Sequence, residues 1–239
     1  WQPHNEYHVK AGARGLSWAG AQPESKSDYR ARIDTVKQPY VSHETGQWCV
    51  FPNFNEIRKY TGVNKAKNFE IFRDILNDNH MGGQSYDFMM ASGKLQALCY
   101  KHEIEKTLRT PDYAGFQLLA LNDYSGQGTA LVGVLDVFFE EKGYINAEQF
   151  RRFCSPTVPL ARIPKFVYAN DETFHADIEV SHFGVAPLQG AKTSYTIKDK
   201  FGKVYAKGTV GTQTIPIGNL CALGSVDMNL KEIDTPQKL

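Results

Sequence analysis

The sequence predicts an α/β plus all-β chain, in which the C-terminal portion of a (β/α)8 TIM barrel is followed by an immunoglobulin-like β-sandwich. Two short apolar runs that end in polar residues indicate parallel strands covered on both faces. Helical periodicity fills the interval between them, and a period of two begins near residue 174. The predicted domains are residues 1–160, the C-terminal segment of the barrel, and residues 161–239, an incomplete sandwich.

The first predicted strand covers residues 39–44, a β-prone run that ends just before Gly46. It brings the carboxylate of Glu44 to the C-terminal end of the strand, which is the face where (β/α) barrels build their sites. His43 precedes this glutamate. Because neighbouring side chains on a strand point to opposite faces, the pattern predicts a packed or supporting histidine and not a general base.

The second predicted strand covers residues 115–121 and ends in two polar residues, Asn122 and Asp123. Between the two strands, apolar residues recur at spacings of three and four over 69–76 and again over 88–98. These spacings predict two amphipathic helices, and a strand–helix–strand order favours a right-handed crossover.

The C-terminal part has different signals. Asn146 and Gln149 have the spacing of a helix capping box, and three prolines over 156–164 predict an extended linker. Residues 174–181 then alternate between apolar and polar, as a half-buried antiparallel strand does. About five strands are expected there, fewer than the roughly seven of an immunoglobulin-like sandwich.

Composition is that of an ordinary globular protein: 239 residues, 41% hydrophobic and 22% charged. Lysine and arginine total 27 against 26 acidic residues, and no run of like charges occurs, so neither a nucleic-acid nor a membrane partner is predicted. No apolar run of about eighteen residues is present. A start at Trp1 without methionine suggests a processed product or a fragment.

The other motifs in the sequence give little support for a metal or cofactor site. The four cysteines are far apart and form no C-x-x-C pair, so no metal site and no cofactor are predicted, while a disulfide stays open. The loop at 126–131 lacks the third glycine of a dinucleotide fingerprint. His175 and His182 lie seven residues apart and do not suggest a metal pair.

The two strand-end motifs, Pro39-Tyr-Val-Ser-His-Glu-Thr-Gly46 and Gly115-Phe-Gln-Leu-Leu-Ala-Leu-Asn-Asp123, followed by β-sandwich sequence, resemble the C-terminal part of a glycoside hydrolase family 2 enzyme of the β-galactosidase-like kind. The resemblance implies a retaining glycoside hydrolase that cleaves terminal β-glycosidic bonds of oligosaccharides or polysaccharides. It also implies that Glu44 is the catalytic nucleophile and that the protein is periplasmic or secreted.

Retaining hydrolysis needs a second carboxyl about 5 Å away, and the resemblance implies that this acid lies upstream of Trp1. In the family this acid follows an asparagine. Asn5-Glu6 has the same two residue types in the same order, but no apolar run precedes it. The sequence departs from the family at the eighth strand, where Leu118 and Leu121 replace the aromatic that commonly lines the sugar site.

Four residues are expected to bind substrate beside Glu44. Trp48 offers a flat platform for the apolar face of a sugar, although core packing is an equal alternative. Asn122 and Asp123 can hydrogen-bond hydroxyl groups, and His43 supports the nucleophile.

Two further interpretations stay open: a non-catalytic carbohydrate-binding or structural module derived from such an enzyme, and an unrelated α+β interaction protein. The exposed edge of a partial barrel would pair with a second copy in a homo-oligomer or with the remainder of a longer chain.

Overall fold

A computed structural model describes residues 22–45, 48–128 and 130–239, together with the backbone of residues 8–10; at Gln127 only the backbone is described. These residues divide into two compact units. The first contains Val36–Ile104 and Ala114–Arg152, with the strand at residues 8–10. The second contains Glu105–Tyr113 and Phe153–Leu239, together with residues 22–35. Each unit is therefore assembled from separate stretches of the chain.

The first unit holds a sheet of three strands, β1 (His8–Lys10), β2 (Tyr40–Thr45) and β3 (Tyr113–Leu118), in the order β1-β2-β3. Strand β1 pairs with β2 in parallel. Contacts between β2 and β3 keep one sequence offset, because His43 meets Gln117 and the Thr45 carbonyl accepts from the amide of Leu119. A constant offset means that β3 also runs parallel to β2.

The helices between β2 and β3 are α2 (Lys67–Asp78) and α3 (Ser85–Leu108), with α1 (Arg30–Ile33) before β2. Short 3-10 helices cover Phe54–Lys59, Gly82–Gln84 and Ser125–Gln127. Both predicted helices are confirmed: α2 ends at Asp78 with Asn79 as its C-cap, and α3 ends at Leu108, before Pro111. Of the apolar stripe on α2, only Phe69 is buried. It packs with Ala66 and Leu131.

Helix α4 (Ala147–Arg151) begins with the predicted capping box: Asn146 Oδ1 accepts from the amide of Gln149, and Gln149 Oε1 accepts from the amide of Asn146. A second core cluster of the first unit joins Val50, Met89 and Tyr144.

The second unit is built on five antiparallel strands: β4 (Thr157–Arg162), β5 (Thr173–His182), β6 (Leu188–Lys198), β7 (Val204–Ile215) and β8 (Gly218–Asn229). They form one sheet in the order β4-β5-β8 and a second sheet of β6 and β7. Residues of both sheets share a core, in which Val180, Ile215 and Leu223 are buried together. The predicted strand at 174–181 is confirmed as β5.

The extended linker predicted at 156–164 is wrong, because residues 157–162 form β4 and pair with β5. Pro159 stands within this strand and aligns with Val180. Proline removes a backbone donor, so a strand tolerates it at a sheet edge, and β4 is the edge strand of its sheet.

Arg162, at the end of β4, ties the strand to its own unit. Its Nε donates to Glu179 Oε2 at 2.9 Å, and its two terminal nitrogens donate to the carbonyls of Lys26 at 2.8 Å and Arg109 at 3.0 Å. A planar guanidinium can make such divergent bonds at once, which a lysine cannot.

The predicted fold class is wrong. In the described part of the chain the strands form small sheets of three, three and two strands, and no portion of a TIM barrel is present. The parallel sheet of the first unit has only three strands. The second unit has the five strands expected there, in sheets of three and two that share a core, fewer than the roughly seven of an immunoglobulin-like sandwich. The strand predicted at 115–121 is observed as β3, but no residue of β3 is buried and it ends at Leu118, before Asn122 and Asp123. Short apolar runs with polar ends occur in α/β sheets in general, so the pattern did not specify a barrel.

Candidate functional site

The candidate site lies where β2 ends. Tyr40 and Ser42 are buried and His43 is half-buried, as regular alternation requires. The alternation breaks at Glu44, which is half-buried where a buried residue is due. Glu44 has a φ of 54°, in the left-handed region that residues with a β-carbon seldom adopt. Its side chain is 26% exposed. The strand therefore ends by turning a glutamate partly toward solvent.

This turn brings the side chains of two adjacent residues together. Nε2 of His43 lies 3.5 Å from Oε1 of Glu44, so the predicted placement on opposite faces is wrong. The reason is backbone geometry: period-two alternation requires extended φ values, and the left-handed φ of Glu44 swings its side chain back. His43 is thus a neighbour of the candidate nucleophile, as a supporting residue would be.

Gln117 on β3 holds the other side of the imidazole. Its Oε1 lies 3.1 Å from Nδ1 of His43. When this oxygen accepts, Nδ1 carries the proton, and Nε2 can donate to Glu44 only if the ring is charged. The sequence analysis missed Gln117. It could have been found as the one polar residue within the apolar run 115–121.

Trp48 is half-buried, and its ring packs edge-on against Tyr100 at 5.5 Å between centroids. Its carbonyl accepts from Gln96 Nε2 at 2.8 Å, and Tyr144 donates to Oε1 of the same glutamine at 2.5 Å. This ring is therefore engaged in packing, the alternative that the sequence left open. One face of such an edge-on indole is not covered by that contact.

Asn122 and Asp123 have different surroundings. Asn122 is half-buried and donates from Nδ2 to the carbonyl of Asp123 at 2.9 Å. Asp123 is 2% exposed, its Oδ1 accepts from the amide of Gly133 at 2.8 Å, and Lys142 Nζ lies 2.6 Å from its Oδ2. The Asp123 carboxylate is thus occupied within the core of its unit, while Asn122 keeps its amide oxygen for another donor.

Near Asp123 the first unit holds a second buried acid. Glu56 is 1% exposed, and no hydrogen bond reaches its Oε2. Burial, reinforced by the charges of Asp136 and Asp123, raises the pKa of Glu56 to about 7, although Lys142 and Lys59 oppose the shift. Asp136 itself accepts from two backbone amides and from Lys59 Nζ at 2.5 Å.

Other kinds of site are not evident in the described residues. They contain no group of three or more histidine, cysteine or acidic residues arranged to hold a metal ion, and all four cysteines are free thiols. A small cleft bordered by Asn53, Ser85 and Tyr86 encloses about 70 Å³, well below the several hundred Å³ of typical ligand pockets. None of the described helices is long and apolar enough to cross a membrane.

Several sequence predictions fall on residues that the structure does not describe. Gly46, Trp1 and the dipeptide Asn5-Glu6 lie outside the described residues.

Residues 172–239 match a family model described as a domain of unknown function (DUF8488). The match covers strands β5 to β8 and none of the residues around Glu44. No curated protein matches the chain.

Proposed function

We propose that this chain carries the nucleophile of a retaining β-glycosidase and that Glu44 is that nucleophile. The observation that carries the proposal is the left-handed backbone of Glu44 at the C-terminal end of a parallel strand. This conformation costs a residue with a β-carbon about 1–2 kcal/mol. Such cost is tolerated mainly where the side chain must be aimed, and functional sites are rich in it.

Two further features support the proposal. Ligands of open α/β sheets bind outside the carboxyl ends of the strands, and Glu44 stands at that end of β2. His43 is held by Gln117 at 3.1 Å and faces the carboxylate at 3.5 Å, so the glutamate has a neighbour that limits its rotamers. The proposal does not require a barrel, because the carboxylate and its supports come from β2 and β3 alone.

In the proposed reaction a Glu44 oxygen attacks the anomeric carbon, and a glycosyl ester forms as the bond to the leaving oxygen breaks. The leaving oxygen keeps the bonding electron pair and takes a proton from a second carboxyl group. The second carboxyl group, now a carboxylate, then takes a proton from a water molecule as that water attacks the anomeric carbon of the glycosyl ester; the ester bond breaks, Glu44 leaves with the bonding electron pair, and a sugar of retained configuration is released. His43 limits the rotamers of the carboxylate and so positions it, but does not touch the substrate.

A second candidate function is carbohydrate binding without hydrolysis. The observation in its favour is the burial of Glu56, Asp123 and Asp136, which are all at most 2% exposed. A carboxyl group buried in the core cannot reach the oxygen of an external aglycone, whether it is held in an ion pair, as Asp123 and Asp136 are, or is only enclosed, as Glu56 is. None of these three acids of the first unit can therefore supply the proton as they stand.

The test uses dinitrophenyl β-glycosides. Their leaving group departs without being protonated, so the reaction needs the nucleophile but no general acid. Incubation with the corresponding 2-deoxy-2-fluoro glycosides should add one glycosyl group to the chain, and peptide mass analysis should locate it on Glu44. Glu44→Gln should abolish the label. The matched control Glu148→Gln changes an exposed glutamate on α4 and should label as the unaltered chain does.

A label that persists in Glu44→Gln, or one that resides on another residue, would refute the assignment. Saturable sugar binding, measured by calorimetry, without label or dinitrophenolate release would overturn hydrolysis and support the binding function.

A further inference from the structure

The β6–β7 hairpin concentrates positive charge that the chain as a whole does not have. Between residues 188 and 215 stand five lysines, which are Lys192, Lys198, Lys200, Lys203 and Lys207, and a single acidic residue. That residue, Asp199, is 8% exposed, and its Oδ1 accepts from the amides of Phe201 and Lys203 at 2.8 and 3.0 Å. Its carboxylate is committed to closing the turn.

Acidic side chains of the described residues do not compensate the charge of these lysines. Among the described residues, none of the five forms an ion pair with an acidic side chain. Lys200 and Lys203 lie over the rings of Phe201 and Tyr205, at 4.9 and 4.6 Å from the centroids. A cation over an aromatic face keeps its full charge. The hairpin is therefore a local positive region on a nearly neutral chain.

Strand pairing gathers three of these lysines onto one exposed face. On β6 the exposed positions alternate through Lys192 and Lys198, and the inward positions include Ala191 of the shared core. Lys207 stands opposite Thr196 in the register, so it shares this face, and such cross-strand neighbours lie about 5 Å apart. At about 3.3 Å per residue the charges extend over roughly 20 Å.

Hydroxyl groups occupy the positions between the lysines. In the register Ser194 pairs with Thr209, Lys192 pairs with Thr212, and all four are exposed. We call this the lysine–hydroxyl face, formed by Lys192, Ser194, Thr196, Lys198, Lys207, Thr209 and Thr212. It combines cations, which attract carboxylate or sulfate groups, with donors and acceptors suited to sugar hydroxyls.

We infer that the lysine–hydroxyl face binds a linear anionic polysaccharide, laid along the hairpin. The face is narrow, extended and polar, so it offers a chain of spaced anions several contacts in a row. A membrane surface would instead need a set of apolar anchors, whereas the large apolar side chains that this hairpin exposes are Phe201 and Val204 near the turn, at 83% and 48%, and Leu188 at the start of β6, at 37%. The inference does not depend on Glu44 and gives residues 172–239 a role of their own.

The experiment measures binding of the full chain to dextran sulfate, with neutral dextran of the same length as the control. We expect saturable binding to dextran sulfate alone, weakened at least tenfold when NaCl rises from 50 to 300 mM because the contacts are ionic. Lys192→Gln, Lys198→Gln and Lys207→Gln combined should weaken binding at least tenfold. Lys65→Gln, Lys94→Gln and Lys231→Gln combined remove the same charge from exposed positions outside the hairpin and should leave affinity within twofold.

One further variant and two alternative ligands make the result decisive. Phe201→Ser should not change affinity for dextran sulfate by more than twofold, and circular dichroism should show that every variant is folded. Equal weakening by both lysine triplets would refute the inference, because the attraction would then be non-specific. Tighter binding to phosphatidylserine vesicles with loss in Phe201→Ser, or tighter binding to single-stranded DNA, would equally overturn it.

Discussion

Nε2 of His43 lies 3.5 Å from Oε1 of Glu44, although residues next to each other on a strand normally face opposite sides. The contact exists because Glu44 leaves the extended conformation, with a φ of 54°. Two half-buried side chains thereby meet at the end of β2. The backbone conformation of one residue thus determines the composition of the candidate site.

The strain at Glu44 can be measured directly. Glu44→Gly is expected to be more stable than Glu44→Ala by about 1 kcal/mol, because glycine adopts a positive φ without the β-carbon penalty, which outweighs its higher unfolded-state entropy. Urea unfolding followed by circular dichroism gives the difference. The matched pair at Glu70, in helix α2, should show the opposite sign, with glycine about 1 kcal/mol less stable than alanine. If the alanine variant were more stable than the glycine variant at both positions, the backbone of Glu44 would not be strained.

Local patterns in the sequence predicted the elements well. The positions of β2, α2, α3 and β5 follow from apolar spacing, and the start of α4 follows from Asn146 and Gln149. These features depend on contacts within a few residues, which a sequence displays. Strand β1 has three residues and was missed, since so short a stretch carries no periodicity.

Long-range pairing limited the rest. The apolar run before Asp123 predicted a polar strand end. Nothing near Asp123 in the sequence shows that its carboxylate forms a buried ion pair with Lys142. The lysines of the β6–β7 hairpin are spread over sixteen residues and form no run, so only the antiparallel register shows that Lys192, Lys198 and Lys207 share a face. The prediction of a barrel was wrong because the sequence of two parallel strands does not show how many further strands pair with them.

The ion pair of Asp123 and Lys142 is expected to be essential for the first unit. Replacement of one partner leaves the other charge buried, which costs about 3–5 kcal/mol. Asp123→Asn and Lys142→Met should therefore each lower the unfolding free energy, and the double variant should lose less than the sum of the two. Glu148→Ala, which breaks an exposed pair with Arg152, is the control and should change it by less than about 1 kcal/mol. Additive losses would show that the two buried charges do not depend on each other.

Glu56 makes stability depend on pH. Its folded-state pKa of about 7 exceeds the ordinary 4.5, so the folded state binds more protons between these values and the unfolding free energy falls as pH rises through this window. Glu56→Gln removes the titration. The unfolding free energy of this variant, relative to that of the unaltered chain, should rise between pH 4.5 and 7 and stay constant above pH 7.

Urea unfolding at intervals between pH 4 and 8 gives this difference curve, in which the titration of other groups cancels. Glu148→Gln, at an exposed glutamate, should leave the shape of the curve unchanged. A flat difference for Glu56→Gln would mean that Glu56 ionises in the folded protein as readily as in the unfolded chain.

His175 on β5 is expected to titrate above the ordinary histidine range. Asp227 on β8 accepts from its Nδ1 at 2.8 Å, and this bond is the main reason that the pKa of His175 is raised; Asp177 Oδ1, at 3.3 Å from Nε2, adds a smaller part. Asp227→Asn should therefore lower the pKa of His175 more than Asp177→Asn does. Following the imidazole Hε1 resonance by NMR across pH 5–9 measures both, and a larger fall in Asp177→Asn would show that the cross-strand bond is not the dominant contact. Since the β5–β8 register places His175 directly opposite Asp227, the same titration also tests the strand pairing through a pair of side chains.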